Sequence, residues 1–188
     1  MRKPSASAEP AAKQSVISQS RLLRTSLEKS LVAPAAEHFV LYKLHLLGLL
    51  ATHAPRNAPT VDILVMNPDE SVLALLQVKG RTRGRDRGWH MDKKHEDIVK
   101  PRLFYAFVDL EPDVPITYIV PSKVVADNLL ASHRAWLAAP GLRRPHRDNE
   151  MRRIQPTYSF KVPGYEDQWI DVYREQWQLL KASDRPLT

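Results

Sequence analysis

Residues 61–79 read VDILVMNPDESVLALLQVK, and this stretch decides the fold. Two apolar, partly β-branched runs at 61–66 and 71–79 flank the tetrapeptide NPDE at 67–70, whose residue types are those of a type I turn. Apolar runs of this length on either side of a short turn are typical of paired antiparallel strands. The stretch therefore predicts a β-hairpin.

Two charged residues, Asp62 and Lys79, lie inside these otherwise apolar runs. An even-length turn at 67–70 would place Asp62 opposite Leu75, with Gln77 as its diagonal neighbour. Side chains two positions apart along a strand share one face of the sheet, so Gln77 and Lys79 would lie on the face of Asp62. Diagonal neighbours are roughly 7–8 Å apart, which is close enough for both side chains to reach one cation. The hairpin therefore predicts a shared polar site.

The predicted site has the groups that metal-assisted phosphodiester hydrolysis needs. Magnesium prefers hard oxygen ligands and keeps several waters, so the expected ligands of Mg²⁺ or Mn²⁺ are the Asp62 carboxylate, the Gln77 amide oxygen and the Val78 backbone carbonyl. The metal and a nearby ammonium can stabilise negative charge on the phosphate, and Lys79 can also orient or deprotonate the attacking water.

Upstream of the hairpin, apolar residues at helical spacing predict two helices. The first covers residues 15–32, and the second runs from Pro34 to Gly48, where the glycine ends it. Residues 49–54 predict a short strand. Glu37 lies in the second helix, where it is a candidate supporting residue for the site.

Downstream, residues 103–108 and 116–120 predict two further buried strands, and residues 121–138 predict a helix. Residues 141–153 read as a basic loop and residues 167–180 as a closing helix. This order, with near-continuous apolar strands, predicts an α/β fold with a mixed central β-sheet flanked by helices.

The sequence resembles the PD-(D/E)XK nuclease superfamily of restriction-endonuclease-like enzymes. The resemblance rests on Glu37 in a helix, Asp62 in TVDILV, and the triplet from Gln77 to Lys79 in LLQVKGR, and it covers about residues 33–130. It implies an α-β-β-β-α-β core and a metal-dependent endonuclease that hydrolyses phosphodiester bonds in DNA. The implied catalytic residues are Asp62, Gln77, Lys79 and Glu37.

The sequence departs from the superfamily pattern at two positions. Val61 stands where the name-giving proline would be, and Gln77 stands where Asp or Glu is usual. The resulting QxK form is similar to the Mrr-like restriction branch. Because Gln77 removes one negative charge from the metal site, a catalytically inactive nucleic-acid-binding or interaction module of the same fold is the alternative. A purely structural cross-strand ion pair between Asp62 and Lys79 is a further alternative.

Basic residues alternate with small or polar ones immediately after the hairpin. In an extended segment this spacing directs the cations to one side, where they can follow phosphates. The expected nucleic-acid contacts are Arg81, Arg83, Arg85, Arg87, Lys93 and Lys94. A flexible solvated loop is the alternative, and Trp89 can stack on a base or anchor the loop in the core.

Three other features carry less weight. A zinc site of His90, His95 and Glu96 matches no standard motif. Three tryptophans at helical spacing are expected to be packing residues: Trp136, Trp169 and Trp177. A second basic cluster could contact the other strand of a duplex, or nothing: Arg143, Arg144, His146, Arg147, Arg152 and Arg153.

Length and composition limit the remaining possibilities. With 188 residues we expect a disordered tail at 1–13 and one domain at 14–188, in which a core at about 33–139 precedes a C-terminal basic loop and helix at 140–182. The absence of cysteine excludes disulfides and thiolate zinc sites, and no apolar stretch approaches the roughly 18 residues that cross a membrane.

The formal net charge of +7 favours a polyanionic partner. We expect nucleic acid, with DNA favoured over RNA, and no membrane. Cutting both strands usually takes two sites, which is compatible with a homodimer. The sequence shows no signal-peptide pattern, so a cytoplasmic location is the default expectation.

Overall fold

The computed structural model describes residues 27–82, 88–141 and 145–182. The predicted tail at 1–13 and most of the first predicted helix, residues 15–26, lie outside this part of the chain. The predictions for those residues therefore stay predictions.

Seven strands and three helices make up the described fold. The strands are β1 (Leu50–His53), β2 (Ile63–Met66), β3 (Val72–Arg81), β4 (Trp89–Asp92), β5 (Leu103–Asp109), β6 (Ile116–Pro121) and β7 (Met151–Ile154). The helices are α1 (Lys29–Leu46), α2 (Ser122–Ala138) and α3 (Leu179–Ala182), with two 3₁₀ turns at Lys93–Glu96 and Trp169–Tyr173.

The central sheet has five strands in the order β1-β2-β3-β5-β6. Strands β3 and β5 are parallel, and the other neighbouring pairs are antiparallel. A separate two-stranded sheet pairs β4 with β7. The prediction of an α/β fold with a mixed central sheet flanked by helices is confirmed.

The two faces of the central sheet are covered by different helices. Val40 of α1 belongs to the same buried cluster as Leu76 and Val78 of β3. On the other face, Leu129 of α2 is buried in a cluster with Tyr105 of β5. Gln77 of β3 is buried and Lys79 is half-buried, so both side chains are partly shielded from water, which strengthens their electrostatic interactions.

Helix α1 corrects the predicted break between residues 32 and 34. The helix runs without interruption from Lys29 to Leu46 through Pro34. Pro34 is exposed and is the sixth residue of the helix, so it removes one intrahelical hydrogen bond in the second turn without ending the helix. The predicted end is confirmed, because Gly48 has a φ of 75° and its N–H donates to the His45 carbonyl at 3.0 Å.

The predicted closing helix at 167–180 is wrong. The chain forms a 3₁₀ turn at Trp169–Tyr173 and a separate short helix at Leu179–Ala182. Between them, Glu175 adopts a φ of 52° and exchanges hydrogen bonds with the backbone of Thr117 at the edge of the sheet. Pairing with this sheet edge interrupts the helix that the local apolar spacing predicts.

The predicted basic loop at 141–153 is also wrong at its end, because Met151–Ile154 is a strand. It pairs with Trp89–Asp92 and buries alternate side chains of both strands. Gly88 directly precedes the pair, and a Cβ atom there would lie 2.2 Å from the Ile154 carbonyl oxygen. The close approach of the two backbones therefore requires glycine at position 88.

Within the described ranges, no helix combines the length and the apolar character needed to cross a membrane.

Candidate active site

The hairpin connection is one residue longer than predicted. The Glu70 N–H donates to the Asn67 carbonyl at 3.0 Å, and the Asn67 N–H in turn donates to the Ser71 carbonyl at 3.0 Å. Glu70 has a φ of 67°, in the left-handed region that a three-residue hairpin loop uses at this position. Asn67 thus pairs with Ser71, and the expected even-length turn is wrong.

A β-bulge follows the turn and adds a second shift. Met66 pairs with Val72, whereas Ile63 pairs with Leu76, and the register changes between Val65 and Met66. Each irregularity moves the register by one residue, so together they move it by two. The expected position of Asp62 opposite Leu75 is therefore wrong, and continuing the observed register places Asp62 opposite Gln77.

Because the register between β2 and β3 is shifted by two residues in total, Asp62, Gln77 and Lys79 remain on one face of the sheet. A shift of one would have turned Asp62 to the opposite face, but a shift of two restores it. Asp62, Gln77 and Lys79 therefore share a face, as expected, and Gln77 is the direct rather than the diagonal neighbour of Asp62.

Asp62 lies one residue before β2, at the point where the ladder between β2 and β3 ends. Its Oδ2 atom accepts a hydrogen bond from the Gln77 amide and another from the Val78 N–H at 2.7 Å. In a strand, the N–H and the carbonyl of one residue point to the same side. The Val78 carbonyl therefore faces the same side as the Val78 N–H, towards Asp62, where β2 no longer pairs with β3. The carboxylate, amide and carbonyl are thus arranged around one gap in the sheet.

Lys79 lies two residues beyond Gln77, on the same face of β3. Its side chain is half-buried. Within the described ranges, no hydrogen bond or ion pair involves its ammonium, so the alternative of a structural Asp62–Lys79 ion pair is not formed there. The ammonium is therefore available to bind an anionic group.

The buried pair of His95 and Tyr105 lies beside Lys79 and is not predicted from the sequence. The His95 Nδ1 atom is 2.7 Å from the Tyr105 hydroxyl, and Tyr105 is the β5 neighbour of Gln77. Burial, with a smaller effect of the Lys79 charge, lowers the pKa of His95 to about 4. His95 is thus neutral near pH 7 and adds no positive charge to the site. An apolar strand with one tyrosine gives no sequence signal for this contact.

Glu37 projects from α1 near the same edge of the sheet. Its carboxylate lies 3.4 Å from the His53 ring of β1. Burial raises the pKa of Glu37, and the nearby Asp62 charge raises it further. Two carboxylates that disfavour each other's charge form a place where a cation would be stabilised. Glu37 therefore acts on Asp62 through its charge, with no direct hydrogen bond between them in the structure.

A divalent metal at this edge would have few charged ligands. The described residues contain no group of three or more His, Cys, Asp or Glu side chains suited to hold a metal ion. Magnesium commonly uses one or two carboxylates together with carbonyl oxygens and water, so Asp62, Gln77 and Val78 fit that ion in kind. The Gln77 amide now donates to Asp62, and it would have to turn about its last bond to present its oxygen. With that rotation, the residues present fit Mg²⁺ or Mn²⁺.

The residues of the zinc alternative have other partners. His95 contacts Tyr105, and Glu96 forms a buried ion pair with Arg152. His90 is exposed on β4.

The described members of the first basic set have acidic neighbours. Arg81 forms an ion pair with Asp109 at 2.5 Å, and its guanidinium lies 4.1 Å from the centre of the Trp89 ring. Trp89 is 1 % exposed, so it is a core residue rather than an accessible stacking surface. Arg83, Arg85 and Arg87 lie outside the described residues.

Lys93 and Lys94 are also paired with acidic side chains. The Lys93 ammonium is 3.3 Å from Asp148, and the Lys94 ammonium is 3.7 Å from Asp92. Both contacts are at the surface, where ion pairs contribute little and exchange readily with other anions.

The second basic cluster is divided by the fold. Arg152 is buried and holds Glu96, whereas Arg147 is exposed. Arg143 and Arg144 lie outside the described residues. Of the three tryptophans expected to be packing residues, Trp177 is buried in the core and Trp136 contacts the rings of His133 and His146; Trp169 is half-buried.

No family model matches the chain, and no curated protein matches its sequence significantly. Among solved structures, the chain is similar to a bacterial homing endonuclease, I-Ssp6803I, with 12% sequence identity and a TM-score of 0.49. The similarity covers 82% of this chain and 92% of that chain. At this identity no residue role can be transferred, so the roles must follow from the chemistry of the site itself.

Proposed function

We propose that this protein is a metal-dependent endonuclease that hydrolyses phosphodiester bonds in DNA. The observation that carries the proposal is the gap at the end of the β2–β3 ladder, where the Asp62 carboxylate contacts the Gln77 amide and the Val78 N–H. A half-buried lysine without an acidic partner in the described chain shares that face. A purely structural sheet end has no need of this combination.

In this proposal each polar group has a distinct role. Asp62, Gln77 and the Val78 carbonyl would hold Mg²⁺ or Mn²⁺, which when bound supplies an acidified water and stabilises charge on the phosphate. Lys79 binds a phosphate oxygen or orients the attacking water. Glu37 supports Asp62 by adding negative charge near the site.

DNA as the substrate is supported by charge and by the resemblance to PD-(D/E)XK nucleases. The net charge of +7 attracts a polyanion, and the basic residues that follow β3 continue directly from Lys79. Cutting both strands of a duplex would require a second copy of the site, which a homodimer provides.

The proposal is tested with purified protein, plasmid DNA and Mg²⁺. We expect Asp62→Ala and Lys79→Ala each to reduce the cutting rate by about 10²–10³-fold, the range seen when one stabilising group is removed from an active site. Lys161→Ala is the matched control, because it removes the same charge from an exposed residue that forms no ion pair with the site residues. Cutting that continues undiminished in both site variants would contradict the proposal.

One observation favours a second candidate, a non-catalytic nucleic-acid-binding module. The Gln77 amide already satisfies the Asp62 carboxylate without a cation. This candidate predicts DNA binding that is weakened by salt and unchanged by EDTA, since phosphate contacts alone would determine the affinity. Affinity that depends on Mg²⁺ would count against it.

A further inference from the structure

The basic side chains of Lys93, His133 and Arg152 surround the carboxylate of Asp148. We call these three side chains the basic cluster. Asp148 accepts a hydrogen bond from the His133 ring at 2.8 Å, and it lies 3.3 Å from both the Lys93 ammonium and the Arg152 guanidinium. These side chains come from the 3₁₀ turn, α2 and β7, whereas Asp148 comes from the loop that precedes β7. Three separate elements thus converge on one anionic position.

This position favours negative charge strongly. The Asp148 side chain is 54 % exposed, yet hydrogen bonds from His133 and Lys93 lower its pKa to about 2. Arg152 is held in place from its other side by Glu96, and its side chain is only 2 % exposed. The basic cluster is therefore built into the fold, while the carboxylate that occupies it comes from an exposed loop.

A cavity of about 300 Å³ adjoins the cluster and shares His133 and Arg152 with it. Its other walls include three aromatic side chains: Trp136, Tyr158 and Phe160. Asn149 and Gln155 add amide groups that can donate and accept hydrogen bonds. Aromatic walls with a few polar groups are typical of sites that bind flat heterocycles.

The walls of the cavity are held in place by contacts of their own. The Tyr158 hydroxyl donates to the Asn128 side chain at 2.6 Å. The Trp136 ring lies 5.3 Å from the His133 ring and 4.2 Å from the His146 ring. A preformed cavity loses little conformational freedom when a ligand enters.

We propose that the basic cluster and the cavity together bind one unstacked nucleotide of a nucleic acid strand. The phosphate displaces Asp148 from Lys93, His133 and Arg152, and the base enters the adjoining cavity. A phosphodiester carries the same single negative charge as Asp148 and can accept the same hydrogen bonds. The volume lies at the lower end of the roughly 300–1,000 Å³ of ligand pockets, so the cavity admits a single base and no base pair.

The ligand class is therefore single-stranded nucleic acid or a frayed duplex end. The inference rests on the proposed function only in taking nucleic acid as the partner, and it does not depend on hydrolysis. It would give the protein a preference for DNA with an unpaired nucleotide over fully paired duplex.

The test measures binding of a short fluorescent single-stranded oligonucleotide, and of a blunt duplex of the same sequence, by anisotropy in EDTA. Asp148→Ala is expected to tighten single-strand binding by roughly fivefold relative to the duplex, because removing the competing carboxylate exposes the cluster. Asp97→Ala is the control for net charge, since Asp97 is an exposed acid whose side chain makes no contact with the cluster.

Two further variants separate the phosphate from the base. Lys93→Ala is expected to weaken single-strand binding more than duplex binding, whereas Phe160→Ala is expected to weaken single-strand binding alone. If Asp148→Ala fails to fold, Asp148→Asn removes the charge and keeps the side-chain shape.

Two results would overturn the inference. One is an effect of Asp148→Ala on single-strand binding no larger than that of Asp97→Ala. The other is equal tightening of single strand and duplex, which would leave an anion site with no base site. Because the measurement is made without metal, loss of plasmid cutting in Mg²⁺ is recorded separately and bears only on the proposed nuclease activity.

Discussion

The edge of the hairpin and the layer formed by β4 and β7 use charged residues in opposite ways. In the layer, Arg152 is paired with Glu96 and Lys93 with Asp148. At the hairpin edge, Asp62 is bonded to an amide and a backbone N–H, and Lys79 has no acidic partner in the described chain. The buried Arg152–Glu96 pair ties β7 to the turn that follows β4, while the charges at the hairpin edge stay available to a ligand. At the hairpin edge a ligand therefore meets a lysine without an acidic partner among the described residues, whereas in the layer it has to displace one.

The strongest way to break the paired region is to remove Arg152. Arg152→Met would leave Glu96 buried without its partner, and losing one member of a buried ion pair costs about 3 kcal/mol or more. The melting temperature should fall by roughly 8 °C for a chain of this size, measured by circular dichroism. Arg147→Met, at an exposed position, should change it little. Equal effects of the two variants would mean that the ion pair does not hold the layer in place.

His95 lies between the two regions and provides a test by pH. Burial lowers its pKa to about 4, so an unfolded chain binds a proton below pH 6.5 that the folded chain does not. Stability from this residue is therefore complete above pH 6.5 and is lost as the pH falls toward 4, by on the order of 2 kcal/mol.

The charged groups that act on His95 are Lys79, Lys94 and Asp92, and its hydrogen-bonding partner is Tyr105. His95→Gln keeps a hydrogen-bonding group and removes the titration, so its urea-unfolding free energy should depend less steeply on pH between 6.5 and 4. His90→Gln, at an exposed position, should retain the wild-type slope. A wild-type slope in His95→Gln would contradict the assignment.

The substitution Gln77→Glu tests whether the hairpin edge binds a metal ion. A second carboxylate beside Asp62 should lower the Mg²⁺ concentration for half-maximal binding by about tenfold, since affinity for hard cations rises with the charge of the ligands. Calorimetric titration measures this without relying on activity. Gln178→Glu adds the same charge at an exposed position and should leave Mg²⁺ binding unchanged. Unaltered affinity in Gln77→Glu would exclude position 77 from the metal site.

The smallest expected effect concerns the turn that sets the hairpin register. Glu70 adopts a φ of 67°, which asparagine tolerates better than glutamate. Glu70→Asn should increase the free energy of unfolding by about 0.5 kcal/mol, measured by urea denaturation. Glu150→Asn is the control, since Glu150 has no positive φ. Destabilisation by Glu70→Asn would show that the Glu70 side chain contributes more than its backbone strain costs.

The sequence predicted those parts of the fold that depend on local pattern. The apolar runs of β3, β5 and β6 and the glycine at the end of α1 each carry their own signal within a few residues. The shared face of Asp62 and Gln77 was also predictable, although by a register that is wrong by two residues. Side chains alternate between the two faces of a strand, so a register error of two residues leaves each side chain on its predicted face. The predicted face of Asp62 is therefore correct, although its predicted cross-strand neighbour is wrong.

The parts that could not be predicted depend on contacts distant in sequence. Strand β7 pairs with β4, which lies some 60 residues earlier, whereas the sequence predicts a basic loop over the first three residues of β7, 151–153. Arg152 and Ile154 are buried, so alternate residues of β7 face inward as in any strand. Arginine is rarely buried, and the sequence pattern therefore does not show this alternation. The same holds for Glu175, whose pairing with the sheet edge overrides the helical spacing around it.

The close contact between α1 and β3 at Gly80 has a consequence for the distance between the two acids. A Cβ atom at position 80 would lie 2.8 Å from the Cβ of Ala36 and 2.9 Å from the Val32 carbonyl, so the helix rests directly on the strand backbone. Ala36 immediately precedes Glu37 in the helix. A side chain at position 80 would therefore push α1 away from β3, and Glu37, which moves with that helix, would change its distance from Asp62.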